Sequence, residues 1–138
     1  MTEAPVVGEV TAQGLRRLYL DYIECLNRRD GAALGNFVHA EAEHNGTRIG
    51  LSGYREMLKS DVAAIPDLFF DVRMILCDAP FIASRLHFDC TPVGLLFGLP
   101  VNGRRVRFDE NVFYEIEAGR IRRVWSVIDK DTVRQQIE

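Results

Sequence analysis

The hydrophobic residues of this chain change their repeat once, at Pro66, and that change limits the fold more than any other feature. Before it, Leu15, Leu18, Tyr19, Tyr22, Ile23 and Leu26 recur at the three-and-four spacing of a helical stripe, with Thr11 placed to cap the helix. Asn27 to Gly31 supplies turn-forming residues, and Ala32 to Val38 is long enough only for a short helix. Glu41 to Ile49 reads as a short strand carrying His44 and Asn45. Ser52 is placed to cap a second long helix running to about Ile65, with Tyr54, Met57, Leu58, Val62 and Ala63 on its apolar side. After Pro66, Leu68, Phe70, Val72, Met74 and Leu76 alternate with other residues, which predicts a strand with one dry face. Helices followed by strands predict an α+β fold: helices at the front and a curved antiparallel sheet behind them.

The rest of the chain continues the alternation. Asp78-Ala79-Pro80 makes a turn into Phe81 to Cys90, where Arg85, His87 and Asp89 fall on one face and Ile82, Leu86 and Phe88 on the other. Thr91 to Gly103 is a longer connection whose Leu95-Leu96-Phe97 stretch is suited to cover or line a cavity. Arg104 to Ile116 and Arg120 to Asp129 form a hairpin about Glu117-Ala118-Gly119, where glycine can take the positive φ of a tight turn. With Glu117 facing Arg120, strict pairing sets Glu115 opposite Arg122, Val112 opposite Trp125 and Glu110 opposite Val127. Lys130 to Glu138 ends the chain as a short polar helix or tail.

A length of 138 residues fits one domain over 1–138, with residues 1–10 as a loose lead-in. No segment approaches the ~20 apolar residues that span a bilayer, so no membrane association is expected. The first ten residues lack the basic and apolar stretches of a secretory signal, which points to a cytoplasmic location. A net charge of -3 offers no field for gathering polyanions, and nucleic acid is not an expected partner. Cys25, Cys77 and Cys90 are odd in number and set among apolar residues, the pattern of buried structural thiols.

Chemistry concentrates on the late strands. The strict register puts Glu110 on an apolar face with Val112, Tyr114 and Trp125, an environment that favours the neutral carboxyl and raises its pKa. Such a group can exchange protons near neutral pH, and it can equally sit at a subunit interface or in an ion pair. Asp109 shares the opposite face with Asn111, and His87 on the neighbouring strand has matching polar alternation. That face is either solvated or the wall of a wet pocket, with His87 the candidate acid or base. His44 and Asn45 can hydrogen-bond a ligand carbonyl or form a polar strand edge, while Tyr22 belongs to the first helix's stripe. His39 and His44, five residues apart with no third ligand in view, do not make a metal site. There is no GxSxG, P-loop or GxGxxG motif.

The run Gly94-Leu95-Leu96-Phe97-Gly98-Leu99-Pro100-Val101-Asn102-Gly103-Arg104-Arg105-Val106, the turn Glu117-Ala118-Gly119-Arg120-Ile121 and Val124-Trp125 together resemble the SnoaL-like polyketide cyclases. These are often labelled ester cyclases, within the nuclear transport factor 2-like superfamily. The resemblance covers nearly the whole chain and implies a cone-shaped α+β barrel, usually dimeric, with a pocket between the sheet and the helices. It also implies ring closure by aldol chemistry without metal or cofactor, using an acidic residue and a histidine on late strands. The family's histidine before the glycine-rich loop meets Pro92 here, with His87 five positions earlier, and the acidic position falls at Asp109 or Glu110. The expected function is therefore a cofactor-independent cyclase, lyase or isomerase acting on a small apolar carbonyl compound. Glu110 or Asp109 would act with His87, and Tyr22, His44, Asn45 and Trp125 would position the substrate. The alternative is a non-catalytic domain that binds a small hydrophobe or dimerises.

Overall fold

A computed structural model describes residues 11–138, and the lead-in expected over residues 1–10 lies outside them. Helix α1 spans Ala12–Asn27, capped by Thr11, whose hydroxyl accepts from the Gly14 amide at 3.0 Å. Its inward stripe is Leu15, Tyr19, Tyr22, Ile23 and Leu26, all buried. The Asn27 side chain then accepts from the Phe70 amide at 2.8 Å and donates to the Phe70 carbonyl at 3.1 Å, fixing the end of α1 to the approach of the late strands. The short helix expected over 32–38 is one 3-10 turn, Leu34–Asn36, because the backbone from Val38 is already drawn into the sheet.

Strand β1 is Val38–His44 and turns at Asn45-Gly46, both at positive φ (47° and 87°), into the short β2, Thr47–Arg48. Helix α2, Gly50–Ala64, starts without a side-chain cap, and Ser52 falls inside its first turn. The cap position belongs to Ile49, whose amide donates to the Ala42 carbonyl at 3.0 Å, so the chain enters the helix directly from the β1–β2 turn. The later strands are β3 (Asp71–Asp78), β4 (Phe81–Cys90), the small hairpin β5 (Leu95–Leu96) with β6 (Leu99–Pro100), β7 (Val106–Glu117) and β8 (Arg120–Ile128). Helix α3, Lys130–Ile137, follows, capped by Asp129.

Six strands form one sheet in the order β2-β1-β8-β7-β4-β3, antiparallel except where β1 runs parallel to β8. The helices cover its inner face. Tyr19 packs at a tilt against Tyr114 of β7 with ring centroids 5.0 Å apart, and its hydroxyl donates to Ser84 of β4 at 2.8 Å. Each fully buried aliphatic side chain in this core, such as Leu15 or Ile82, contributes about 1.5–3 kcal/mol of hydrophobic stabilisation. Among the described residues no helix is long and apolar enough to cross a membrane.

Register slips in β3 and β8 bend the sheet and overturn part of the strict alternation. In β3 the register slips between Val72 and Met74, so Ile75 and Cys77 turn inward while Met74 and Leu76 turn outward, 53% and 63% exposed. The dry face expected for Leu68 to Leu76 therefore ends at Val72. In β8 the slip lies between the Glu115 and Ile116 pairs, where Arg122 is the extra residue. Glu115 faces Arg123 rather than Arg122, Phe113 rather than Val112 faces Trp125, and Glu110 faces Ile128 rather than Val127. The opposite-charge pair persists with a different arginine, since Arg123 Nη1 lies 3.1 Å from Glu115.

Arg122 is itself buried and donates to the Glu41 carbonyl at 2.7 Å and to the Glu43 carboxylate at 2.9 Å, tying the bulge to β1. Replacing Arg122 by methionine keeps the buried stem and removes those donors. The expected cost is about 1.5–3 kcal/mol, the scale of hydrogen bonds to charged groups, read as a lower urea midpoint at unchanged slope. An unchanged midpoint would show that the bulge holds without its anchor.

Candidate active site

A cavity of about 590 Å³ opens between the sheet's inner face and helices α1 and α2. Its walls are largely apolar: Leu26, Met57, Leu58, Phe70, Leu86, Phe97, Val112 and Val124. Phe97 comes from the long connection and carries Lys130 of α3 5.6 Å above its ring, which brings an ammonium to the cavity. The expectation that this connection lines a cavity holds through that one side chain.

Glu110 projects into this space from β7, half-buried, and the Ser126 hydroxyl of β8 donates a hydrogen bond to its Oε2. Oε1 has no protein partner among the described residues. Burial pushes the Glu110 carboxyl above its ordinary range, the Ser126 bond pulls the other way, and the charge of Asp61 adds to the rise. Asp61 comes from α2, one turn beyond Met57 and two beyond Tyr54, so all three share the helix side that meets the cavity. Asp61 is solvent-exposed at the cavity mouth, and partial desolvation of its carboxyl by the neighbouring protein raises its pKa from 3.8 to about 6.

The hydroxyls of Tyr22 and Tyr54 meet at 2.5 Å beside these carboxyls. Burial holds both phenols far above their ordinary pKa, so they remain O–H donors across the neutral range. One donates to the other, and the second keeps a hydrogen for a ligand. His44, at the end of β1, also lines the cavity, and desolvation lowers its pKa, which leaves a neutral imidazole. Asn45 is there too, but its amide is committed: Oδ1 accepts from the Ser126 amide at 2.8 Å and Nδ2 donates to the Ser126 carbonyl at 3.4 Å. Asn45 thus places Ser126, which in turn holds Glu110.

The structure brings Glu110, Tyr22, His44 and Asn45 together and leaves Asp109, His87 and Trp125 elsewhere. Strands β4 and β7 pair without a bulge, Leu86 opposite Glu110 and His87 opposite Asp109, so Glu110 and the other pair lie on opposite faces. On the outer face His87 Nδ1 is 2.8 Å from Asp109, and Arg85 donates to Asp109 at 2.7 Å and to Asn111 at 3.1 Å. Trp125 is turned outward by the bulge at Arg122, opposite Phe113. Sequence reasoning missed Asp61, Tyr54 as a polar group, and Ser126. Asp61 was open to detection as an acid at helical spacing from Tyr54, Met57 and Leu58; Ser126 was hidden because strict pairing turns it outward. Among the described residues no cluster of three or more potential metal ligands occurs.

Comparison with known proteins follows the same outline. The sequence model of the SnoaL-like polyketide cyclase family matches residues 16–137. No curated protein sequence matches the chain. Among solved structures, a SnoaL-like polyketide cyclase from Agrobacterium tumefaciens strain C58 is 51% identical, with a TM-score of 0.89 over 90% of this chain and 98% of that one. TsrD from Streptomyces laurentii is 22% identical with a TM-score of 0.82, covering 94% and 98% of the two chains. IdmH from Streptomyces antibioticus, 20% identical with a TM-score of 0.76 over 88% and 96%, shares the fold at similar divergence. With a family match over nearly all the described residues and a half-identical relative aligned almost end to end, the chain belongs to the SnoaL-like polyketide cyclase family.

Proposed function

We propose that the cavity is the site of a cofactor-independent proton transfer, a cyclase, lyase or isomerase reaction on a small apolar compound with an enolisable carbonyl. The observation that carries this reading is the presence of two carboxyls, Glu110 and Asp61, in one tyrosine-lined and mostly apolar cavity. Ionised Glu110 removes a proton from the carbon beside the carbonyl, using the oxygen that Ser126 leaves free. The Tyr22–Tyr54 pair donates to the carbonyl oxygen as it gains negative charge. The enolate carbon then either takes back a proton at another position or attacks a second carbonyl of the same molecule. In the second case a carbon–carbon bond forms and the new alkoxide takes up the proton that Glu110 removed, which returns Glu110 to its ionised form. Apolar walls select an apolar substrate and keep bulk water from competing for the proton.

The direct measurement is exchange of α-hydrogen for deuterium in enolisable aryl ketones, followed by NMR in heavy water. Glu110→Gln is expected to lower the exchange rate by about 10²–10⁴-fold with folding retained. Unchanged exchange removes Glu110 from the reaction and leaves the cavity as a binding pocket for a small hydrophobe. Activity should rise with pH as Glu110 ionises. Asp61→Asn should move that limb to lower pH, because the repulsion that raises Glu110 is gone, and Ser126→Ala should move it to higher pH by removing the bond that favours the carboxylate.

Asp61 also carries a stability consequence that needs no substrate. Its pKa rises from 3.8 to about 6 on folding, so the folded state binds the proton more tightly and loses stability as pH increases through that window. Asp61→Asn is therefore expected to melt higher than wild type at pH 7, with the two curves converging below about pH 4. Equal melting temperatures at pH 7 would mean that the Asp61 carboxyl is solvated after all.

We infer further that the protein is a homodimer joined through the outer sheet face. Phe113, Trp125 and Val127 stand together there, 53%, 39% and 67% exposed, and Met74 and Leu76 lie on the same face across β4. Apolar side chains in that concentration are characteristic of a covered surface. Sedimentation velocity should report a dimer that Trp125→Glu converts to monomer; a monomeric wild type at high protein concentration overturns the assignment.

A further inference from the structure

A second chamber, about 300 Å³ in volume, lies against the reaction cavity and shares Leu26, Leu58 and Phe70 with it as a common wall. Leu34, Val62 and Leu68 complete an apolar floor. The charged residues around it are three cations, Arg29, Arg55 and Lys59, against the single carboxylate of Asp30. Lys59 leans toward Glu56 at 3.5 Å on the exposed side of α2, and Asp30 accepts from the Ala33 amide at 3.2 Å and lies 3.9 Å from Arg28.

The two arginines are held differently. Arg29, just past α1 at φ 60°, donates from Nη2 to the carbonyls of Leu68 at 2.9 Å and Pro66 at 3.3 Å. Arg55 donates from Nε to the carbonyl of Gly31 at 2.8 Å, so one guanidinium is fixed to the turn after α2 and the other to the turn after α1, and both residues line the chamber. Among the described residues no carboxylate lies within 4.0 Å of either one. Backbone carbonyls therefore fix their positions without neutralising them, and each keeps unused N–H groups in the fork geometry that suits a carboxylate. Positioned guanidiniums without a carboxylate partner beside an apolar floor match a ligand that is apolar along its length and anionic at its end.

We propose that this chamber is a binding site for an amphipathic anion, an aliphatic chain ending in a carboxylate, with the chain on the Leu34, Val62 and Leu68 floor and the carboxylate on Arg29 and Arg55. The site goes beyond the proton transfer assigned to Glu110 and is measured by binding rather than turnover, because the shared wall lets an occupant of either space disturb the other. Titration calorimetry with sodium decanoate is expected to show binding that weakens as salt is added, and decanol to bind at least about tenfold more weakly. Arg55→Met should weaken decanoate by roughly tenfold, Arg55→Lys should recover only part of that loss because an ammonium lacks the fork, and Val62→Trp, which fills the chamber, should abolish binding. Each variant's circular dichroism spectrum must match wild type for its result to count. Absence of decanoate binding to the wild-type protein overturns the proposal. So does affinity that survives Arg55→Met and Val62→Trp but falls in Glu110→Gln, an outcome that places the ligand in the reaction cavity and leaves the proton-transfer reading intact.

Discussion

The buried guanidinium of Arg122 donates to the Glu41 carbonyl and the Glu43 carboxylate, and so holds one extra residue in β8 against the parallel strand β1. Side chains on a strand alternate, so one inserted residue reverses the facing of everything beyond it. Past Arg122, Val124, Ser126 and Ile128 turn to the cavity and Trp125 and Val127 turn away. Without that reversal Glu110 would lose its hydrogen-bond donor and Trp125 would compete for the cavity's volume. The ion pairs of Glu43 with Arg122 and Arg123 hence matter less as surface charge than as the fixed point from which the site is laid out.

From that point the site is assembled by short, local commitments. Asn45 sits at positive φ in the β1–β2 turn and uses its amide as a piece of backbone, pairing both ways with Ser126 where β1 has ended. Ser126 then occupies one oxygen of Glu110. Opposite, α2 sends Tyr54 and Asp61 inward from one face, and α1 sends Tyr22 to meet Tyr54. Desolvation raises both carboxyls, and the charge of Asp61 raises Glu110 further. A fold gains nothing in stability from such an arrangement, which is why it speaks for chemistry rather than packing.

The helices and the overall α+β order were legible in the sequence because their signal is redundant: six residues of α1 and several strands each repeat the same period, and no single exception erases it. That Glu110 shares a face with Val112 and Tyr114, opposite to that of Asp109, was legible as well, since β4 and β7 pair without interruption, but which face lines the cavity was not. The bulges were not. An inserted residue leaves no mark in a hydrophobic pattern when the residue is an arginine, and both Arg73 and Arg122 read as ordinary outward positions. What made Arg122 an inward residue is a carbonyl and a carboxylate about eighty positions earlier in the chain, information that no local period contains.

The same reasoning separates the two acid–histidine arrangements that the sequence offered. His87 with Asp109 has the look of a catalytic pair, close in space and on adjacent strands. Arg85 and Asn111 complete it into a polar cluster on the outer face, where its charges are compensated by one another. Glu110 has no such ion pair among the described residues. Its direct side-chain partner there is a neutral hydroxyl, the like charge of Asp61 raises it, and its other oxygen faces a cavity with room for a ligand. A group that the fold leaves uncompensated and gives space to react is the better candidate for moving a proton than one whose charge is already matched.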